Sequence, residues 1–215
     1  MTRVFASLTS IDVGELVPTV ERLEAAGVDG FHIDLSDGVF VPGLIFGPGM
    51  VAAVASRTRL PVEAHLMTVD PEAHIAPLVD AGAQRIAFHW EAASYPWRTV
   101  SILQQAGCIA GIAMNPATPV PDLDYLAESI AFVNLLTTEP DVVGERMLPA
   151  MAQRVARFRQ VLPPTVAIEV DGGVGSDAVQ ALVAAGADEL VMGRSLVAAA
   201  DPRGVVESVR LARAS

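Results

Sequence analysis

Asp80-Ala-Gly-Ala-Gln-Arg-Ile-Ala-Phe-His89 contains a helix end, a glycine, and an apolar run that closes on a polar residue. Three other stretches follow the same order: Glu24-Ala-Ala-Gly-Val-Asp-Gly-Phe-His-Ile-Asp34, Gln105-Ala-Gly-Cys-Ile-Ala-Gly-Ile-Ala-Met114 and Ala184-Ala-Gly-Ala-Asp-Glu-Leu-Val-Met192. A glycine just past a helix takes the left-handed conformation that closes it, because it has no Cβ to clash. The run after each glycine is apolar or alternating, as expected of a strand covered by helices. Recurrence at about 25 residues therefore reads as alternation of helix and strand.

Extending this pattern along the chain predicts eight strands, at 4–7, 30–34, 62–66, 85–89, 109–114, 132–136, 167–170 and 189–192. Helices are expected near 12–26, 47–57, 71–81, 96–106, 121–129, 146–161, 176–185 and 203–213. Pro71, Pro96, Pro121 and Pro202 stand at or just before helix starts, where a missing N–H costs little. Ser176-Asp177 reads as an N-cap and first helical residue. Eight strands alternating with eight helices predict an α/β fold, a (β/α)8 TIM barrel, at the short end of its range. A doubly wound open sheet is the runner-up, but no Gly-x-Gly-x-x-Gly follows the first strand. No linker or low-complexity tract divides the chain, so residues 1–215 are expected to form one barrel domain.

Composition narrows the chemistry. All 14 basic residues are arginine, which excludes lysine Schiff bases, lysine general bases and the Gly-x-x-x-x-Gly-Lys phosphate loop. A single cysteine, Cys108, excludes an internal disulfide and any multi-cysteine metal site. With a formal net charge of -11 and scattered arginines, no nucleic-acid surface is expected. No apolar run approaches the ~20 residues of a membrane span, and Met1-Thr2-Arg3-Val4 lacks a signal-peptide pattern. The expectation is a cytoplasmic protein with no membrane partner. Apolar residues on barrel helices would be consistent with a homo-oligomer.

Barrel active sites lie at the C-terminal ends of the strands. Those ends hold Ser7, His32 and Asp34, His65 and Met67, His89 and Glu91, Asn115, Asp171, and Gly193 with Arg194. Residues two apart on a strand share a face, so His32 and Asp34 point one way while Phe31, Ile33 and Leu35 point into the apolar layer. Taken alone, His32 and Asp34 fit half a metal site, an acid/base pair, or a satisfied core histidine beside a loop-capping aspartate. Three of the four histidines fall at strand ends, with only His74 on a helix, and this favours the metal site. His32, Asp34, His65 and Asp171 make an N2O2 set suited to one divalent cation: Zn²⁺, Mn²⁺, Fe²⁺ or Co²⁺. His89 and Glu91 read as residues that back those ligands. Asp171-Gly172-Gly173-Val174-Gly175 and Met192-Gly193-Arg194-Ser195 follow the seventh and eighth strands, where this fold binds phosphate on bare backbone N–H groups.

These residues resemble the ribulose-phosphate 3-epimerase family, from Ala6-Ser7 through Asp201-Pro202. The resemblance is carried by Glu21-Arg-Leu-Glu-Ala-Ala-Gly27, His32-Ile-Asp34, Asp37-Gly38, Phe40-Val-Pro42, Phe46-Gly-Pro48, His65-Leu-Met67, His89, Asn115-Pro-Ala-Thr-Pro119 and Glu169-Val-Asp-Gly-Gly173. It implies metal ligands at His32, Asp34, His65 and Asp171, with Asp34 and Asp171 as the two acid/base groups. Ser7 and Met67 match residues that line the family's substrate site. The implied reaction inverts carbon 3 of a ketose by two-base proton transfer through an enediolate, with D-ribulose 5-phosphate and D-xylulose 5-phosphate as the pair.

Departures from the family lie at the substrate end. Ser36 stands where the family has methionine, and Gly43 where it has asparagine. The family's Pro-Gly-Phe-Gly-Gly-Gln loop is here Pro140-Asp141-Val142-Val143-Gly144-Glu145. It keeps Gly144 as a substrate-binding residue but loses two glycines and gains two carboxylates, which repel a dianion. Arg194 replaces a serine, and either clamps an anion or fills the pocket. Three alternatives therefore stand beside the epimerase. One is a paralogue using another ketose, ketose phosphate or polyhydroxy ketone. Another is a non-catalytic metal- or ligand-binding barrel, and the third a lyase or decarboxylase, which the absence of lysine weakens.

Overall fold

The computed structural model describes residues 1–139 and 146–212. Eight parallel strands close on themselves: β1 (Arg3–Ser7), β2 (Gly30–Asp37), β3 (Val62–Met67), β4 (Arg85–His89), β5 (Ile109–Met114), β6 (Phe132–Leu136), β7 (Ala167–Asp171) and β8 (Glu189–Met192). Their order around the barrel is β1-β8-β7-β6-β5-β4-β3-β2, and β2 pairs with β1 to close it. A two-residue strand, Leu44–Ile45, folds back antiparallel on the end of β2. The helices are α1 (Leu16–Ala26), α2 (Pro48–Ala55), α3 (Glu72–Asp80), α4 (Pro96–Gln105), α5 (Met151–Val161), α6 (Ser176–Ala184), α7 (Arg194–Val197) and α8 (Pro202–Ala212). This is the (β/α)8 barrel expected from the sequence.

The recurrent Ala-Gly phrases do what their chemistry requires. Gly27, Gly82, Gly107 and Gly186 have φ of 90°, 102°, 73° and 106°, values that a side chain disfavours. Each turns the chain from the end of a helix into the next strand. Strand alternation then sorts the side chains. Phe31, Ile33, Leu66, Ile86, Phe88 and Ile168 join the main core between barrel and helices, all fully buried. The opposite face points inward and carries most of the polar residues discussed below, with a small apolar cluster of Ala87, Ala113 and Phe132.

Two local expectations fail. The helix expected at 121–129 is a series of turns, in which Leu126 N donates to Leu123 O and Ser129 N to Leu126 O. The Asp122 side chain accepts the N–H of Asp124, and the N–H groups of Leu126 and Ser129 close separate three-residue turns, so no continuous helical ladder forms. Ser176 is the first residue of α6 rather than its cap; Gly175 holds the cap position in extended backbone without a side-chain bond. Among the described residues one α-helix was not expected, α7, a single turn immediately after Gly193 that places Arg194 at its start, and a short 3-10 turn spans Trp90–Ala92. Among the described residues no helix is long and apolar enough to cross a membrane.

Candidate metal centre and substrate cleft

Pairing register brings the polar residues together. Asp34 lies directly opposite His65 across β2 and β3, and Ser7 lies opposite His32 across β1 and β2. Asp171 ends β7, which is separated from β2 by β1 and β8 on that side of the barrel. His32, Asp34, His65 and Asp171 thereby present ligand-type atoms that all lie within 4.8 Å of one another. His32 Nε2 is 3.2 Å from Asp34 Oδ1 and 3.4 Å from Asp171 Oδ2. His65 Nδ1 is 2.9 Å from Asp34 Oδ1 and 3.5 Å from Asp171 Oδ2. Two nitrogen and two oxygen donors thus converge, and this set fits a divalent transition metal.

Electrostatics agree with that fit. Burial alone would lower His65, but the hydrogen bonds and charges of Asp171 and Asp34 outweigh it and raise its pKa to about 9. His32 is likewise raised well above its ordinary value against the pull of burial. Burial would raise the two aspartates, yet the positive imidazoles hold Asp34 well below, and Asp171 below, the usual carboxylate range. In the absence of a cation the cluster draws protons onto both rings, so it is built to be filled by positive charge.

The second nitrogen of each ring has a partner. His32 Nδ1 sits 2.9 Å from Glu63 Oε1. His65 Nε2 sits 3.0 Å from His89 Nε2, and His89 Nδ1 is 3.0 Å from Glu91 Oε2. A carboxylate only accepts, so the His89 proton lies on Nδ1, and burial lowers this ring's pKa so that it stays neutral. Its Nε2 then accepts from His65 Nε2–H, which leaves Nδ1 as the His65 donor atom. Glu91 is itself fixed by Asn115 N at 2.8 Å and by the Thr118 hydroxyl.

Above the cluster opens a cleft of about 740 Å³ lined by Ser7, Thr9, Asp34, Met67, Asp171, Gly172, Gly173, Val174, Gly193 and Arg194, among others. This volume suits a small organic ligand. Gly172 has φ 101°, and a Cβ there would meet the Thr138 hydroxyl at 2.6 Å, so the backbone approaches the cleft bare. Arg194 is exposed on the rim and does not fill the floor. Ser36 is not part of the lining: its hydroxyl donates to Gly43 O and accepts from Ile45 N at 3.0 Å, tying down the turn after β2. Gly144 and its loop lie outside the described residues.

Several residues escaped the sequence reading. Thr9 lines the cleft and donates to Asp34 Oδ2, with Ser7 Oγ 3.4 Å away from its hydroxyl. No spacing rule marks a threonine just past a strand. Arg146 and Glu139 reach the rim from the connection after β6, where sequence offers no periodicity. Glu63 was readable, since it stands two residues before His65 and so faces the same side.

A closed barrel with an acid/base cluster at the C-terminal ends of its strands, under an open cleft edged by glycine turns, is the construction of a barrel enzyme acting on a small molecule. Comparison with known proteins narrows the class. The model of the ribulose-phosphate 3 epimerase family matches residues 3–197. Ribulose-phosphate 3-epimerases from Methanocaldococcus jannaschii and Bacillus subtilis are 32% and 31% identical, each over 98% of this chain and over 90% and 99% of the relative. The chain belongs to the ribulose-phosphate 3-epimerase family and is an isomerase acting on carbohydrates. Two solved structures share the fold: 3-hexulose-6-phosphate synthase from Salmonella typhimurium (TM-score 0.76, 18% identity, 99% of each chain) and orotidine 5'-phosphate decarboxylase from Pyrococcus horikoshii (TM-score 0.67, 15% identity, 99% of each chain).

Proposed function

We propose that the chain inverts carbon 3 of a ketose phosphate, interconverting D-ribulose 5-phosphate and D-xylulose 5-phosphate by two-base proton transfer. The observation that carries this reading is the pair Asp34 and Asp171. They stand on non-neighbouring strands and face the same two imidazoles at the floor of one cleft. A non-catalytic metal-binding barrel would use the same four ligands, but it has no need of the open cleft above them. The names of the relatives support the substrate class.

One aspartate takes the proton from carbon 3, and the C–H electron pair passes to the carbonyl oxygen to give an enediolate. The other aspartate returns a proton to the opposite face, inverting the centre. Each turnover starts with one aspartate ionised, as the base, and the other protonated, as the acid, and ends with these states exchanged. The imidazoles hold both carboxyls below the usual range, which favours the ionised base, and the acid draws its proton from solvent. Thr9 fixes Oδ2 of Asp34 while Oδ1 faces the imidazoles, which gives that carboxylate one orientation. His32, Asp34, His65 and Asp171 would hold a divalent cation, Zn²⁺, Mn²⁺, Fe²⁺ or Co²⁺, with His89 and Glu91 backing His65. Such a cation supplies Lewis acidity that lowers the cost of negative charge on the ketose oxygens. Ser7 and Met67 border the reacting end, and the Gly172, Gly173 and Gly193 backbone with Arg194 receives the phosphate.

A second reading, a paralogue for another ketose, is favoured by the rim, where the carboxylate of Glu139 lines the cleft beside Arg146 and Arg194. Deuterium uptake from D2O separates the two. D-ribulose 5-phosphate should gain deuterium at carbon 3 far faster than unphosphorylated D-ribulose or hexulose phosphates. Faster uptake by either of those establishes the paralogue, and no uptake by any ketose contradicts the epimerase reading.

A further inference from the structure

Beneath the imidazole–carboxylate cluster the barrel interior is charged where an apolar filling would be usual. Glu63, Glu169 and Glu189 are fully buried and Arg85 is 4% exposed. Strand alternation puts them there: Glu63 precedes His65 by two residues, Glu169 precedes Asp171 by two, and Arg85 opens the strand that ends in His89. Their contacts form a line running down from the metal centre. Glu63 Oε1 faces His32 Nδ1 at 2.9 Å, and Glu63 Oε2 accepts from Arg85 Nε at 2.6 Å. Arg85 Nη2 donates to Glu189 Oε2 at 2.6 Å, and Arg3 donates to Glu189 Oε1 from the barrel's lower end. The Arg85 guanidinium lies between two rings, 4.1 Å from the centroid of Phe132 and 4.4 Å from that of Phe5, which fixes its position.

His32, Glu63 and Glu169 also bring ligand-type atoms within 4.8 Å of one another. Arg85 already sets a positive group against Glu63 and 3.6 Å from Glu169 Oε2, so this lower cluster has a resident guanidinium. The use of the line lies at its upper end. Because a carboxylate only accepts, Glu63 places a proton on His32 Nδ1 and leaves Nε2, the atom facing Asp34 and Asp171, to coordinate. A buried carboxylate is costly unless paired, and Arg85 pairs it through Oε2 while leaving Oε1 for the ring.

We propose that Glu63 is a positioning residue for the metal centre, locking His32 with Nε2 toward the cleft, and that Arg85 acts through it by holding the Glu63 carboxylate in place. This rests on the metal reading of the four-residue cluster. It differs from a purely structural salt-bridge line, which would stabilise the barrel and leave cation affinity unchanged.

The test is Zn²⁺ affinity, read by competition with a chromophoric chelator, for the wild-type protein, Glu63→Gln, Arg85→Met and the double variant. Glu63→Gln should bind Zn²⁺ about 10–100-fold more weakly. Arg85→Met should also weaken binding, and the double variant should be no weaker than Glu63→Gln alone, because Arg85 acts only through Glu63. A folded Glu63→Gln protein with wild-type Zn²⁺ affinity overturns the proposal, whatever its melting temperature. Losses that add fully in the double variant overturn the role of Arg85. A wild-type protein that binds no Zn²⁺ overturns the metal reading and the inference with it. Should the variants not fold, the Zn²⁺-loaded wild type decides by imidazole ¹⁵N NMR. His32 should carry its proton on Nδ1 and coordinate through Nε2; coordination through Nδ1 overturns the proposal.

Discussion

At the floor of the cleft, each residue of the four-member cluster projects from a strand, and register sets Asp34 opposite His65 and His32 opposite Glu63. At the rim, the polar groups come from the connections after β6, β7 and β8, as backbone at Gly172, Gly173 and Gly193 and as exposed side chains at Glu139, Arg146 and Arg194. The floor is paired throughout, from Glu63 under His32 to Glu91 behind His89. Of the departures from the family pattern, Arg194 stands on the rim. Under the proposed function, reaction type and substrate choice are separately encoded: strands hold the chemistry, and loops choose what reaches it.

The contrast can be broken from either side. The largest effect belongs to the floor. Asp34→Asn and Asp171→Asn should each lower exchange of the carbon 3 proton with solvent by about 10³-fold or more, with substrate binding little changed. Near-normal exchange in either variant removes the two-base scheme, and this is measured by NMR in D2O. A smaller and different effect belongs to the rim. Arg194→Ala should raise KM for a phosphorylated ketose about tenfold through loss of one charge-assisted contact, with kcat nearly unchanged. Steady-state kinetics check this. An unchanged KM assigns the anion to the glycine backbone alone, and a fall in kcat moves Arg194 into the floor's role.

The same division explains what was legible in the sequence. Period-two alternation placed His32 with Asp34 and set Phe31, Ile33 and Leu35 in the apolar layer, as the structure shows. The Ala-Gly phrase located the helix-to-strand turns because a positive φ leaves a residue signature. Segment 121–129 misled because Pro121 stands as prolines stand at the helix starts elsewhere in the chain, while the backbone after it closes separate turns at Leu126 and Ser129 instead of a ladder. Ser36 looked like a change in the substrate wall. Its neighbours on the Leu44–Ile45 strand, which sequence does not reveal, instead absorb the hydroxyl. Thr9, Glu139 and Arg146 were invisible for the same reason: a loop residue's direction follows from tertiary contacts and not from a period.

Under the proposed function, His32, Asp34, His65 and Asp171 form one cation site. Its most direct measurement is calorimetric titration of chelator-treated protein with Zn²⁺ at pH 7, in buffers of different ionisation enthalpy. The pKa of His65 is raised to about 9 and that of His32 well above its ordinary value, so at pH 7 both rings carry protons that a cation must displace. One Zn²⁺ per chain should bind, with net release of protons and an affinity that falls as the pH is lowered. No saturable binding, or binding without proton release, would contradict the cation site.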